Sequence, residues 1–245
     1  MAGVIVGERR HPSTGRTRDG AAACHGPVRS SFVAAALGPT WAVVVAAGQG
    51  SRFGGAKQYA PLAGRRVLDW SIDAARTAAA GVVLVVPARR VGTAEPAADV
   101  VVAGGATRSA SVRAGLACVP DDAGVVVVHD AARPLASAGL FGRVVDAVRA
   151  GADAAVPGVP VVDTIRRRDG RPVERDQLVA VQTPQAFRAA ALRGAHVGQP
   201  EATDDATLVE AAGGRVVVVP GDPCNRKITD PADLLLAERL LSEGR

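Results

Sequence analysis

The sequence predicts an α/β protein built on a doubly wound, mostly parallel sheet from which a β-hairpin arm protrudes. From Trp41 onward, short runs rich in valine alternate with longer amphipathic stretches, the pattern of strands joined by crossover helices. The valine runs are continuous instead of alternating with polar residues, so both faces of each strand are expected to be covered. One stretch, Val161 to Gln182, breaks the alternation and carries Asp169-Gly170 between two β-prone segments, which is a hairpin signal.

The chain has 245 residues, enough for one α/β domain with a terminal extension. Residues 1–39 hold Arg, Ser, Gly and His with no sustained period and no apolar stretch of the kind a secretion signal needs. They are expected to be a disordered extension, with the domain running from 40 to 245. Strands are predicted at Ala42–Ala46, Val82–Val86, Val100–Val102, Val125–His129, Ala154–Val156 and Val216–Val219. Helical periodicity marks Val67–Ala78, Arg108–Val119, Ala138–Arg149, Ala186–Arg193, Asp205–Ala212 and Pro231–Ser242. In such sheets ligands sit at the carboxyl ends of the strands, so the residues following each strand are the first to inspect.

Composition narrows the function. No apolar run approaches the roughly 20 residues that span a bilayer, so no membrane partner is expected. Cys24, Cys118 and Cys224 are widely spaced and form no CxxC pair, which argues against a disulfide framework or a zinc site and suits a reducing cytoplasm. The net charge is +5, but in residues 1–39 five arginines face only Glu8 and Asp19, so the body of the chain is nearly neutral. Aromatic residues are 3% of the chain and give few platforms for stacking bases. Nucleic acid is therefore not expected as a partner. Of 29 basic residues only Lys57 and Lys227 are lysines. In so arginine-rich a background a lysine points to a need for a compact ammonium in place of a planar fork.

Four segments carry chemistry. The first strand runs into Ala46-Ala47-Gly48-Gln49-Gly50-Ser51-Arg52-Phe53-Gly54-Gly55-Ala56-Lys57. Glycines let backbone N–H groups close around phosphate oxygens, and Arg52 and Lys57 add positive charge. The segment is not a Walker A loop, because Ala56 separates Gly55 from Lys57 and Gln58 follows. Its GxGxxxG spacing, with no acid after Val86, also departs from the dinucleotide fingerprint. Val125–Val128 leads into His129-Asp130-Ala131-Ala132-Arg133-Pro134, which puts a carboxylate at the end of a buried strand. Asp130 there suits Mg²⁺, which takes one or two carboxylates plus substrate phosphates, and Arg133 suits an anion. Gly104-Gly105-Ala106-Thr107-Arg108-Ser109-Ala110-Ser111 opens a helix after another strand and offers backbone donors and hydroxyls. Asn225-Arg226-Lys227-Ile228-Thr229 follows the last strand and holds the second lysine.

Taken in order, these segments together with Asp163-Thr164, Thr183-Pro184-Gln185 and Thr203-Asp204-Asp205 resemble the 2-C-methyl-D-erythritol 4-phosphate cytidylyltransferases of the non-mevalonate isoprenoid pathway. The likeness runs from about Trp41 to Leu241, and the ordered combination is far more specific than any one piece. It implies a Rossmann-like nucleotidyltransferase fold and transfer of CMP from CTP to the acceptor phosphate with release of pyrophosphate. Ala46, Ala47, Gly48, Gly50, Arg52 and Lys57 would line the triphosphate, and Gly104, Gly105, Arg108 and Ser111 the cytosine and ribose side. Asp130 would hold Mg²⁺ or the nucleotide. Thr164, Arg175, Thr183, Thr203 and Lys227 would hold methylerythritol phosphate, with Thr164 and Arg175 presented across a homodimer by the neighbour's arm. The stretch from Thr164 to Thr183 is several residues shorter than the family suggests, and residues 1–39 have no counterpart in it.

The implied chemistry agrees with the side chains present. A phosphate monoester must approach the α-phosphorus of a triphosphate, so cations have to surround the transition state; Arg52, Lys57, Lys227 and Mg²⁺ supply them. The attacking oxygen is already ionised at neutral pH, which removes the need for a general base and leaves His129 a structural role. Two other readings stay open: a cytidylyltransferase for another polyol phosphate such as ribitol 5-phosphate, and a catalytically silent nucleotide-binding protein.

Overall fold

The structure is a computed structural model describing residues 37–48, 50, 53–95 and 97–244. Residues 1–36 of the expected disordered extension, and Arg52 of the glycine-rich loop, lie outside the described residues. In chain order the elements are β1 (Thr40–Val45), a 3₁₀ turn (Lys57–Tyr59), β2 (Pro61–Leu62), β3 (Arg65–Arg66), α1 (Val67–Arg76), β4 (Gly81–Val86), β5 (Val100–Ala103), α2 (Arg108–Leu116), β6 (Val125–Asp130) and α3 (Ala138–Arg149). There follow β7 (Ala154–Pro160), β8 (Ile165–Arg166), β9 (Pro172–Val173), β10 (Val179–Val181), β11 (Gln185–Arg188), α4 (Ala189–Ala195), α5 (Asp205–Ala211), β12 (Val216–Pro220) and α6 (Pro231–Ser242).

The pairs β6–β1, β1–β4 and β4–β5 are parallel and form one half of the main sheet. The valine runs fill it: Val82–Val86 and Val125–Val128 are wholly inaccessible to solvent. Successive side chains in a strand face opposite ways, and the core divides accordingly. Ala42, Val44, Leu84 and Val127 pack with Leu68 and Ile72 of α1 and Leu140, Phe141 and Val144 of α3. Val43, Val83, Val85 and Val126 pack with Val112 of α2, Leu192 of α4 and Val209 of α5. The expected doubly wound, mostly parallel sheet is what the chain forms.

The other half is mixed. β7 takes β12 in parallel and both β10 and β11 antiparallel. Here one predicted element is corrected: Ala186–Arg193 is not a single helix. Gln185–Arg188 is a strand that also pairs antiparallel with β6, and α4 starts only at Ala189. The alanine-rich run has helical propensity, but Ala186 and Phe187 are completely buried between β6 and β7, and that sheet position overrides local preference. Strand β7 also extends past the predicted Val156 to Pro160, and α1 and α2 stop two or three residues before their predicted ends. The arm is present: β8 pairs with β9 through Ile165–Val173 and Arg166–Pro172, around a turn in which Gly170 has φ +87°. β10 then returns the chain to β7. Among the described residues no helix is long and apolar enough to cross a membrane.

Candidate active site

The carboxyl ends of β1, β5 and β6 open onto a cavity of about 430 Å³ lined by residues from four loops. Ala46, Ala47, Gly48, Gly50 and Lys57 come from the loop after β1, and Gly105, Ala106, Thr107, Arg108 and Ser111 from the entry to α2. Asp130 comes from the tip of β6, and Lys227 and Thr229 from the loop after β12.

Each wall has a local cause. The glycine-rich loop turns at Gly50, whose φ is +66° and where a Cβ would run into the Gly55 carbonyl; only glycine suits both demands. The carbonyl of Gly50 accepts from the N–H groups of Phe53 and Gly55, and Lys57 N–H donates to the Gly55 carbonyl, so the fold of the loop carries Lys57 to the cavity. Gln58, buried beside it, donates from Nε2 to the carbonyls of Ala46 at 2.6 Å and Gly48 at 3.0 Å. That amide ties the end of β1 to the loop. At α2, Thr107 is the N-cap and accepts from Ala110 N–H at 3.0 Å, the ordinary means of satisfying a free first-turn donor. Gly104 stands behind the wall: a Cβ there would collide with Ala47 and Ser111.

Asp130 and Thr183 show how the floor is set. Asp130 is 8% exposed; its Oδ2 accepts from Lys227 Nζ at 2.5 Å and its Oδ1 faces Arg108 Nε at 3.4 Å. Burial works against its charge, but Lys227 and then Arg108 outweigh it and hold the carboxyl well below the usual carboxylate range. Arg108 answers in kind: burial opposes its charge, yet Asp130 and Asp205 raise its pKa. Beneath them, Thr183 Oγ1 accepts from Asp130 N–H at 3.0 Å and lies 3.2 Å from His129 Nδ1. His129 Nε2 faces the Arg133 carbonyl at 3.2 Å. A carbonyl can only accept, so Nε2 carries the proton and Nδ1 accepts from the threonine hydroxyl. Burial pushes His129 down to about 4, which keeps it neutral; it is a support under Asp130 and does not line the cavity.

Lys227 is held at this floor by its neighbours. Ile228 is buried with Leu62, Val67 and Ala237 and its N–H donates to the Ala132 carbonyl. Asn225, fully buried, donates to the Thr183 carbonyl at 2.9 Å, and Gln182 bonds both ways with Asp222. Arg133 donates to the Asn225 carbonyl at 2.8 Å and lines a second cavity, which shares Lys227 and Thr229 with the first.

The expected residues therefore separate into groups. Ala46, Ala47, Gly48, Gly50, Lys57, Gly105, Arg108, Ser111, Asp130 and Lys227 meet in one cavity, and Arg133 lies in the adjoining one. Gly104 and Thr183 sit one layer behind. Thr164, Arg175 and Thr203 are exposed and line neither cavity; Arg175 bonds instead to the Val162 carbonyl within the arm. Sequence reasoning missed Gln58, Thr107, Thr229 and Asp205. Thr107 had a signal, a threonine just before a helix; Thr229 and Asp205 stood in segments singled out for other residues, and Gln58 is marked by its burial and its two carbonyl partners.

The family model described as 2-C-methyl-D-erythritol 4-phosphate cytidylyltransferase (IspD) matches residues 40–243. The chain belongs to this family. A cytidylyltransferase of that name from Nocardia farcinica is 47% identical over 220 residues, covering 83% of this chain and 94% of the relative. One from Rhodococcus jostii is 46% identical over 84% of this chain and 97% of its own length. The crystal structure of 2-C-methyl-D-erythritol 4-phosphate cytidylyltransferase from Thermus thermophilus aligns with a TM-score of 0.71 at 41% identity, over 82% of this chain and 98% of that one. The IspD fold is thus an α/β nucleotidyltransferase fold, as the mostly parallel sheet indicates. The cavity at the carboxyl ends of its strands lies within the matched region, since Ala46 to Thr229 all fall inside it.

Proposed function

We infer that this protein transfers CMP from CTP to 2-C-methyl-D-erythritol 4-phosphate, giving 4-diphosphocytidyl-2-C-methyl-D-erythritol and pyrophosphate for isoprenoid precursor synthesis. In support, a chain of the IspD family carries at its cavity floor an alternation of charge, Lys227, Asp130 and Arg108, facing a glycine-rich loop that ends in Lys57. In the reaction a phosphate oxygen of the acceptor forms a bond to the α-phosphorus, the bond from that phosphorus to the β-phosphate oxygen breaks, and pyrophosphate leaves with the electron pair. No proton has to move, and His129, held neutral away from the cavity, is not needed as a base.

Lys57 and Arg52 would neutralise the triphosphate, with the N–H groups of the loop as further donors. Arg108, Ser111, Gly105 and Ala106 would receive the cytidine. Lys227, shared by both cavities, stands where acceptor and nucleotide phosphates meet, and Arg133 in the second cavity suits the acceptor's phosphate. Thr164 and Arg175, exposed on the arm, suit a site in a second copy of the chain, and we read the protein as a homodimer joined through that arm. Thr203 has no part that its position explains.

Mg²⁺ fits the donor set. Among the described residues Asp130 is the only carboxylate lining the larger cavity, its oxygens are hard and fully ionised, and nucleotide-bound Mg²⁺ takes most of its ligands from phosphates and water. Bound there, it would offset charge on the triphosphate oxygens. With reducing-compartment cysteine usage, the enzyme is read as cytoplasmic.

Purified protein with Mg²⁺ should release pyrophosphate from CTP only when methylerythritol phosphate is added. A preference for ribitol 5-phosphate, or for UTP over CTP, would overturn the assignment, as would no turnover with any pairing of nucleotide and acceptor.

A further inference from the structure

Arg108 divides its guanidinium between two carboxylates. On the cavity side Nε faces Asp130 Oδ1 at 3.4 Å, and on the inner side Nη1 donates to Asp205 Oδ2 at 2.7 Å. Asp205 has no exposed surface and lines neither cavity. Its Oδ1 lies 3.0 Å from Nε2 of His196, whose side chain is 4% exposed. A carboxylate so deeply buried is costly unless donors match it, and here an arginine from α2 and a histidine at the end of α4 do so. The three side chains tie α2, α4 and α5 together behind the nucleotide wall.

We propose that Asp205 is a positioning residue for the cytidylyl transfer, fixing the Arg108 guanidinium for the nucleotide while His196 holds Asp205 from behind. The proposal rests on reading Arg108 as a nucleotide contact. Two physical consequences follow from the geometry. An arginine has many rotamers, and immobilising it when ligand binds costs affinity; the inner pair has already fixed it. Asp205 also competes with Asp130 for the same guanidinium. Without Asp205, Arg108 is free to turn its fork fully onto Asp130, which withdraws that carboxylate from Lys227 and from the triphosphate side.

Steady-state kinetics on the full-length enzyme with CTP varied test this. Asp205→Asn should raise KM for CTP about tenfold with a smaller change in kcat, the size expected from loosening one charge-assisted hydrogen bond. His196→Gln should act in the same direction by roughly threefold, since it touches Arg108 only through Asp205. In an Arg108→Ala background neither change should raise KM further. A purely structural Asp205 would lower the melting temperature and the active fraction, hence apparent kcat, and leave KM alone. Unchanged KM in Asp205→Asn, or the same fold-increase with and without Arg108, overturns the proposal. If Asp205→Asn does not fold, the cycle of His196→Gln with Arg108→Ala decides by the same criterion. Should Arg108→Ala itself leave KM for CTP unchanged, the reading of Arg108 falls and the proposal with it; a raised KM there beside an unaffected Asp205→Asn removes the proposal alone.

Discussion

The nucleotide side of the cavity and the arm side are built on different terms. On the nucleotide side, the loop after β1, the entry to α2 and the tip of β6 grow from parallel strands of the main sheet, and each is held by a buried side chain: Gln58 on Ala46 and Gly48, Asp205 on Arg108, Thr183 on Asp130. On the arm side, Thr164 and Arg175 are exposed on either side of the β8–β9 hairpin, and Arg175 donates to the Val162 carbonyl within the arm. Val162 is 79% exposed, and Val179 and Val181 are also open to solvent. Outside these valines the arm is mostly charged, with Arg166, Arg167, Arg168 and Arg171 around its turn, so it packs on no core of its own. On the reading proposed above, one chain preorganises the CTP side by itself, and the acceptor side is the part that would depend on an exchanged arm.

The largest effect expected is at the two lysines. Lys57→Ala and Lys227→Ala should each lower kcat on the order of 10²–10³, the size seen when a preorganised charge donor is removed from a transition state. Arginine at either position should not restore the rate fully, because a planar fork replaces a compact ammonium. Near-normal kcat in Lys227→Ala would break the link between the charge alternation at the floor and catalysis.

A smaller effect should come from Gly104, which touches no cavity. Gly104→Val drives a side chain into Ala47 and Ser111, and overpacking of this kind costs roughly 1–3 kcal/mol. KM for CTP should rise and the melting temperature fall, while kinetic parameters for the acceptor change less. Equal damage to both substrates would mean that the two sides are not independently built.

The last effect is read in stability alone and concerns the acid side of the pH range. The pKa of His129 is about 4 in the fold against about 6.5 for an unfolded chain. Between those values the unfolded state takes up a proton that the native state refuses, so stability falls as pH drops from 6.5 towards 4 and is fully present above 6.5. The full contribution is roughly 3 kcal/mol. Urea unfolding of His129→Gln at pH 7 and pH 4.5 should show a clearly weaker loss between the two pH values than the unaltered protein; an identical loss would show that His129 is not protected from protonation.

How far the sequence could be read follows the same division. The parallel half was legible because its strands are buried on both faces and so appear as unbroken valine runs, and because the phosphate-facing loops need glycine and lysine where little else serves. The mixed half was less so. Ala186–Arg188 reads as helix since alanine dominates the run it opens, and only the gap between β6 and β7 makes it part of a strand. Asp205 stood in a segment that carried the resemblance, yet neither it nor Gln58 showed its role, because a buried polar residue differs from a surface one by its surroundings and not by its type. Arg175 could be noticed in the sequence, but which subunit it serves is not a property of one chain.

Refolding two inactive variants together tests the division of the site most directly. Lys57→Ala damages the nucleotide side of its own chain, and Arg175→Ala damages the arm. If arms are exchanged, each mixed dimer has one doubly damaged site and one intact site. With equal amounts and half the dimers mixed, about a quarter of normal activity should return, as two-fold symmetry requires. If Arg175 serves its own chain, every site in the mixture keeps a lesion. No recovery, once mixed dimers have been detected by native mass spectrometry, would contradict the account.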